Sequence, residues 1–121
     1  MKKRSSQRNV LKIPARCLVT LGIILILVPQ ICGYKILLIL SDSMEPTLSA
    51  GQLVPVKKVT EQSTLQAGDI CTYKAATGFI TVTHRIIRIT PEGYVFKGDH
   101  NSKEDPIPVK REQILYQLIM H

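Results

Sequence analysis

The 121 residues have room for one domain, and a strongly apolar N-terminal segment leaves roughly 80 for a folded unit, too few for a large cofactor-binding domain. The net charge of +7 would suit a nucleic-acid ligand, but Lys2, Lys3, Arg4, Arg8, Lys12 and Arg16 supply most of the excess, and the four Tyr and two Phe interleave with no basic stripe; nucleic-acid binding is excluded on that footprint. Cys17, Cys32 and Cys71 have neither C-x-x-C spacing nor an even count, which argues against a disulfide framework or a zinc site and leaves them as small apolar residues.

In chain order, residues 1–16 form a basic tail. Lys and Arg translocate poorly, so the tail is expected on the cytoplasmic side of a membrane and the rest of the chain beyond it. No charged residue occurs from Cys17 to Tyr34, and Leu, Ile and Val dominate, so residues 17–40 are expected to form a transmembrane helical anchor. Pro29 is tolerable in such a helix, and Lys35 can snorkel while Ile36 to Leu40 continue the apolar run. A cleavable secretory leader fits less well, because the residues after Gln30 lead into more aliphatics rather than into a small-residue cleavage site.

After Leu40 the texture changes to short runs of Val, Ile and Thr punctuated by Gly and Pro. Strands are predicted over 53–59, 69–74, 79–90, 93–97 and 114–119, with a hairpin loop at 75–78 and a second turn around Pro91. Residues 41–121 therefore read as one small, mainly β domain following the anchor, with no full-length helix of its own.

Three segments carry candidate chemistry. In Ser41-Asp42-Ser43-Met44-Glu45-Pro46-Thr47-Leu48, Ser41 or Asp42 can cap a short turn, with Glu45 three residues after Asp42 in capping-box spacing. In Phe79-Ile80-Thr81-Val82-Thr83-His84-Arg85-Ile86, period-two alternation puts His84 on the apolar face with Ile80, Val82 and Ile86. Desolvation there favours the neutral imidazole that a general base requires, whereas Arg85 cannot deprotonate at ordinary pH. The stretch from Phe96 to Pro106 is a polar turn that supplies Asp99 and Asp105. A serine and a histidine need an acid to orient the imidazole, and either aspartate could serve. Recasting His100, Asp99, Asp105 and Cys71 as metal ligands finds no recognised spacing in support.

Together these segments resemble the signal peptidase I family, whose first signature, S-x-S-M-x-P-T-L after a membrane anchor, stands here at residues 41–48. The Glu45-Pro46 pair and the histidine before Arg85 are similar to the archaeal and endoplasmic-reticulum branch, also found in Gram-positive bacteria; the common bacterial branch has lysine at that position. A third box, G-D-x-N with a later aspartate, matches Gly98-Asp99-His100-Asn101 and Asp105, and Gly68-Asp69-Ile70 matches a short structural element. Asp42 stands where many relatives have Gly, and His100 where Asn is more common. Many members also carry a C-terminal membrane span, and this sequence stops at His121 without one, as either a short member or a truncated one would.

The resemblance implies a serine endopeptidase that removes signal peptides from exported preproteins. Ser43 would be the nucleophile and His84 the general base, with Asp105 ranked ahead of Asp99 as orienting acid. The Ser43 N–H and the Ser41 hydroxyl would stabilise the oxyanion. It also implies a single-pass cell-membrane protein with a cytoplasmic N-terminus and an external catalytic domain. No metal or other cofactor is called for, and the implied partners are preproteins, the lipid bilayer and accessory membrane subunits. Two rivals are a non-catalytic assembly relative and a self-cleaving repressor. Ser43, His84 and Asp105 together weigh against the first; histidine in place of lysine, beside an anchor, weighs against the second.

Overall fold

The computed structural model describes residues 12–119. One helix, α1 (Ala15–Ile31), precedes six strands: β1 (Tyr34–Leu38), β2 (Leu53–Lys58), β3 (Ile70–Lys74), β4 (Thr81–Thr90), β5 (Gly93–Lys97) and β6 (Ile114–Leu118). A short 3-10 turn over Arg111–Gln113 leads into β6. The strands form a single sheet in the order β1-β2-β6-β3-β4-β5, and every neighbouring pair is antiparallel. The mainly β expectation holds, and each of the five predicted strands forms to within two residues of its expected ends.

The expected anchor does not. The helix covers 17 residues, about 25 Å at 1.5 Å per residue, against a hydrocarbon core of about 30 Å. Among the described residues no helix is long and apolar enough to cross a membrane. Pro29 removes one rung of the helical ladder two residues before its end, the Cys32 N–H makes the last bond to the Val28 carbonyl, and Gly33 turns the chain at φ +91°. The Gly33 carbonyl then accepts the Lys58 N–H at 2.7 Å, and the run that reads as more helix becomes an edge strand paired to β2. α1 has no buried residue, and its aliphatic side chains are exposed along its length. Of the basic tail, residues 1–11 lie outside the described residues.

Two apolar clusters stabilise the sheet. Ile39, Met44, Leu48, Val54, Val56, Ile70 and Leu118 form one; Leu65, Cys71, Tyr73, Ile86, Phe96, Val109 and Ile114 form the other. β3 lies between them in the sheet order and sends Ile70 to the first and Cys71 and Tyr73 to the second, as period-two alternation requires. A register shift opposite Thr72 and Tyr73 breaks that alternation in β6, which contributes Leu118 to one cluster and Ile114 to the other.

Candidate active site

Ser43 lies in the turn that follows Ile39. Met44 and Leu48, 1% and 3% exposed, anchor this turn in the first cluster, and Leu48 N–H donates to the Met44 carbonyl at 3.0 Å. The sequence logic is thus local: the buried Met44 side chain fixes the backbone on one side of Ser43 and leaves the serine half-buried. No residue other than glycine has a positive φ among the described residues, so Asp42 occupies its position without left-handed strain.

His84 arrives from the middle of the sheet. It is paired with Cys71 across β3 and β4, on the face that also carries Ile86, and is 8% exposed. Its Nε2 lies 3.1 Å from Ser43 Oγ, and its Nδ1 lies 2.6 Å from Asp105 Oδ2. An ionised carboxylate only accepts, so Nδ1 carries a proton, and in the neutral tautomer this selects, the lone pair of Nε2 faces the serine hydroxyl. Ser43 can donate to that nitrogen, and Ser41 Oγ, 3.1 Å from Ser43 Oγ, can donate to Ser43 in turn.

Asp105 and Asp99 come from one loop but do different things. The Asp105 N–H donates to the Phe96 carbonyl at 2.8 Å, which lays the loop back over β5 and brings the carboxylate to His84. Asp99 instead receives Arg85 Nε at 2.9 Å and Nη2 at 2.8 Å, and Thr47 Oγ1 at 2.5 Å. The hydrogen bonds from Arg85 hold its carboxyl below the usual carboxylate value, joined by that from Thr47 and opposed by partial burial. Asp99 therefore ties the strand that carries His84 to the turn that carries Ser43, while Asp105 alone of the two touches the imidazole. The residues read alone left both aspartates open, and the family resemblance ranked Asp105 ahead of Asp99 without separating their roles.

The rest of the 98–101 turn clamps the serine. The His100 N–H donates to the Ser43 carbonyl at 2.9 Å, and the Asp99 N–H approaches Met44 Sδ at 3.4 Å. His100 acts here through its backbone, its side chain being exposed. Gly68 and Asp69 serve structure: they exchange backbone hydrogen bonds with Ile86, and the Gly68 carbonyl accepts Arg85 Nη1 at 2.8 Å.

Sequence reasoning missed Tyr73. Its hydroxyl donates to Asp105 Oδ2 at 2.5 Å, and burial followed by this carboxylate contact pushes the phenol above its ordinary value. The 75–78 hairpin held the available signal, because its register pairs residue 73 with residue 82 and so puts Tyr73 on the face of His84. On the other side of β4, pairing with β5 begins only at Arg85, so residues 81–84 have β3 as their one strand partner among the described residues. A free backbone edge thus runs up to His84.

The chain is similar to Signal peptidase I W of Bacillus subtilis, with 39% identity over 93 residues, 74% of this chain and 48% of that protein. It spans about half the length of the curated relative it matches. The similarity supports the signal peptidase I family. No family model matches the chain.

Proposed function

We propose that this chain is a signal-peptidase-type serine endopeptidase of the histidine-bearing branch, which removes N-terminal signal peptides from exported preproteins. The observation that carries the reading is the unbroken chain of contacts Ser43 Oγ, His84 Nε2, His84 Nδ1, Asp105 Oδ2, at 3.1 and 2.6 Å. A serine beside a neutral imidazole whose far nitrogen is held by a carboxylate is the arrangement that nucleophilic acyl transfer needs. Similarity to a protein named as a signal peptidase supports the substrate class.

In this mechanism Ser43 Oγ attacks the scissile carbonyl carbon while His84 Nε2 takes the hydroxyl proton. The imidazolium formed is stabilised by Asp105 and returns its proton to the leaving amine, leaving an acyl group on Ser43. His84 then activates a water that releases it. The Ser43 N–H and the Ser41 hydroxyl face the oxyanion, and loss of one such donor costs about 100- to 1,000-fold in rate. The substrate lies extended along the free edge at residues 81–84, adding a strand antiparallel or parallel to β4. The exposed aliphatic surface of α1, Ile36, Leu38 and Leu40 associates with lipid and keeps the sheet domain at the outer face of the membrane, where signal peptides emerge. Accessory membrane subunits complete the expected set of partners.

The test is processing of a preprotein in lipid vesicles, with the product's new N-terminus sequenced. Wild type should cut once after the signal peptide, and Ser43→Ala and His84→Ala should leave the preprotein whole; undiminished cleavage by either variant overturns the assignment.

A further inference from the structure

An orienting acid must itself be oriented. Asp105 is held by its backbone through Phe96, but its carboxylate could still rotate about the side-chain bonds and present either oxygen, or neither, to His84. Among the described residues, two side chains donate to that carboxylate: His84, the group to be oriented, and Tyr73. Both reach the same oxygen, Oδ2. Resting on the proteolytic reading of the site, we propose that Tyr73 is a positioning residue, its hydroxyl locking the Asp105 carboxylate so that one oxygen serves His84 throughout the cycle.

The fold makes Tyr73 suited to the task. It lies two residues along β3 from Cys71, the residue paired with His84, so the two side chains share a face and sit diagonally across the β3–β4 pair. Tyr73 is 6% exposed, and its ring packs against Phe96 with centroids 4.6 Å apart. Phe96 in turn accepts the Asp105 N–H, so one aromatic contact supports both the backbone and the side-chain anchor of the aspartate. A buried tyrosine hydroxyl needs some partner, and simple satisfaction would be met by any carbonyl. Here the partner is the atom on which the imidazole depends. Tyr73 and Asp105 also line one cavity of about 150 Å³ with Pro106 and Val109, so without the hydroxyl the carboxylate has room to turn away.

Tyr73→Phe removes the hydroxyl and keeps the ring against Phe96, so the fold should persist, with a melting temperature lowered only by the few degrees that one lost hydrogen bond costs. The expected result is a roughly 10-fold fall in kcat with KM unchanged, the scale of a lost hydrogen bond to a charged group. In an Asp105→Asn background, assayed at enzyme excess, Tyr73→Phe should have no further effect. An unchanged kcat, or the same fold loss in both backgrounds, would overturn the positioning role. Ser43→Ala sets the background of this assay; if wild type does not exceed it, the proteolytic reading fails on its own. The geometric claim is then still decided by the proton resonance of the His84 Nδ1–H in isotopically labelled protein. That resonance should move in Tyr73→Phe, and an unmoved one contradicts the proposal.

Discussion

Gly98 is the position at which one added methyl group tests the site most sharply. A Cβ built there would lie 2.6 Å from the Ser43 carbonyl oxygen and 2.7 Å from Asn101 Nδ2, whereas ordinary contact begins at 3.4 Å. The shortfall at the carbonyl is about 0.8 Å, and it falls on backbone, which cannot swing aside as a side-chain tip would. The φ of Gly98 lies outside the left-handed region, so the effect of Gly98→Ala is steric alone. Met44 is locked in the core, so the strain goes into the 98–101 turn and Ser43, lengthening the 2.9 Å bond from His100 N–H and pulling Ser43 Oγ away from His84. A misplacement approaching 1 Å costs on the order of 100-fold in rate, so kcat for signal-peptide cleavage should fall by roughly 10- to 100-fold, with about 1–3 kcal/mol lost in unfolding. Gly22→Ala, which meets nothing within 4 Å, is the matched control and should be neutral or slightly stabilising. A folded Gly98→Ala protein with kcat within about twofold of wild type would refute the clamp.

The two aspartates should separate. Asp105→Asn removes the carboxylate that fixes the His84 tautomer and should cost roughly 10⁴-fold in kcat, while Asp99→Asn should cost far less, as steady-state kinetics on a preprotein can show. Asp99 has its carboxyl lowered from 3.8 by Arg85, so its stabilisation is complete above that value and lost as pH falls through the lowered one. Wild type should therefore exceed Asp99→Asn by ~1 kcal/mol in urea unfolding at pH 7, and the gap should close under strong acid; a gap that widens would contradict the ion pair. Met44→Ala should destabilise the domain by about 2–5 kcal/mol, read as a shift in the urea midpoint. Cys71, fully buried and with its thiol pushed up to about 12 by burial and then by Asp69, should resist alkylation at pH 8 until the protein unfolds, whereas exposed Cys17 and Cys32 should label at once in the lipid-free protein.

The sheet was legible because its strands are short, β-branched and bounded by Gly and Pro, as in 81–90 between the 75–78 hairpin and Pro91. The burial of His84 followed from the same alternation. Residues 34–38 were not legible: a short aliphatic run continuing an apolar helix has no period of its own, and only the pairing of β1 with β2 reveals it as a strand. The roles of Asp99 and Asp105 were hidden for a related reason. Which carboxylate meets the imidazole depends on the fold-back of the loop onto Phe96 and on the reach of Arg85, contacts 9 and 14 residues apart in the chain. Tyr73 escaped because a tyrosine in a strand reads as core until the register places it diagonally from His84.

The central claim is that Ser43, and not its neighbour Ser41 at 3.1 Å, is the nucleophile. Single-turnover cleavage of a preprotein by Ser43→Ala and Ser41→Ala, side by side, tests it most directly. Ser43→Ala should be reduced to the uncatalysed background, and Ser41→Ala should retain cleavage at a rate about 100- to 1,000-fold below wild type, the loss of one oxyanion donor. Cleavage that survives in Ser43→Ala while vanishing in Ser41→Ala would contradict it.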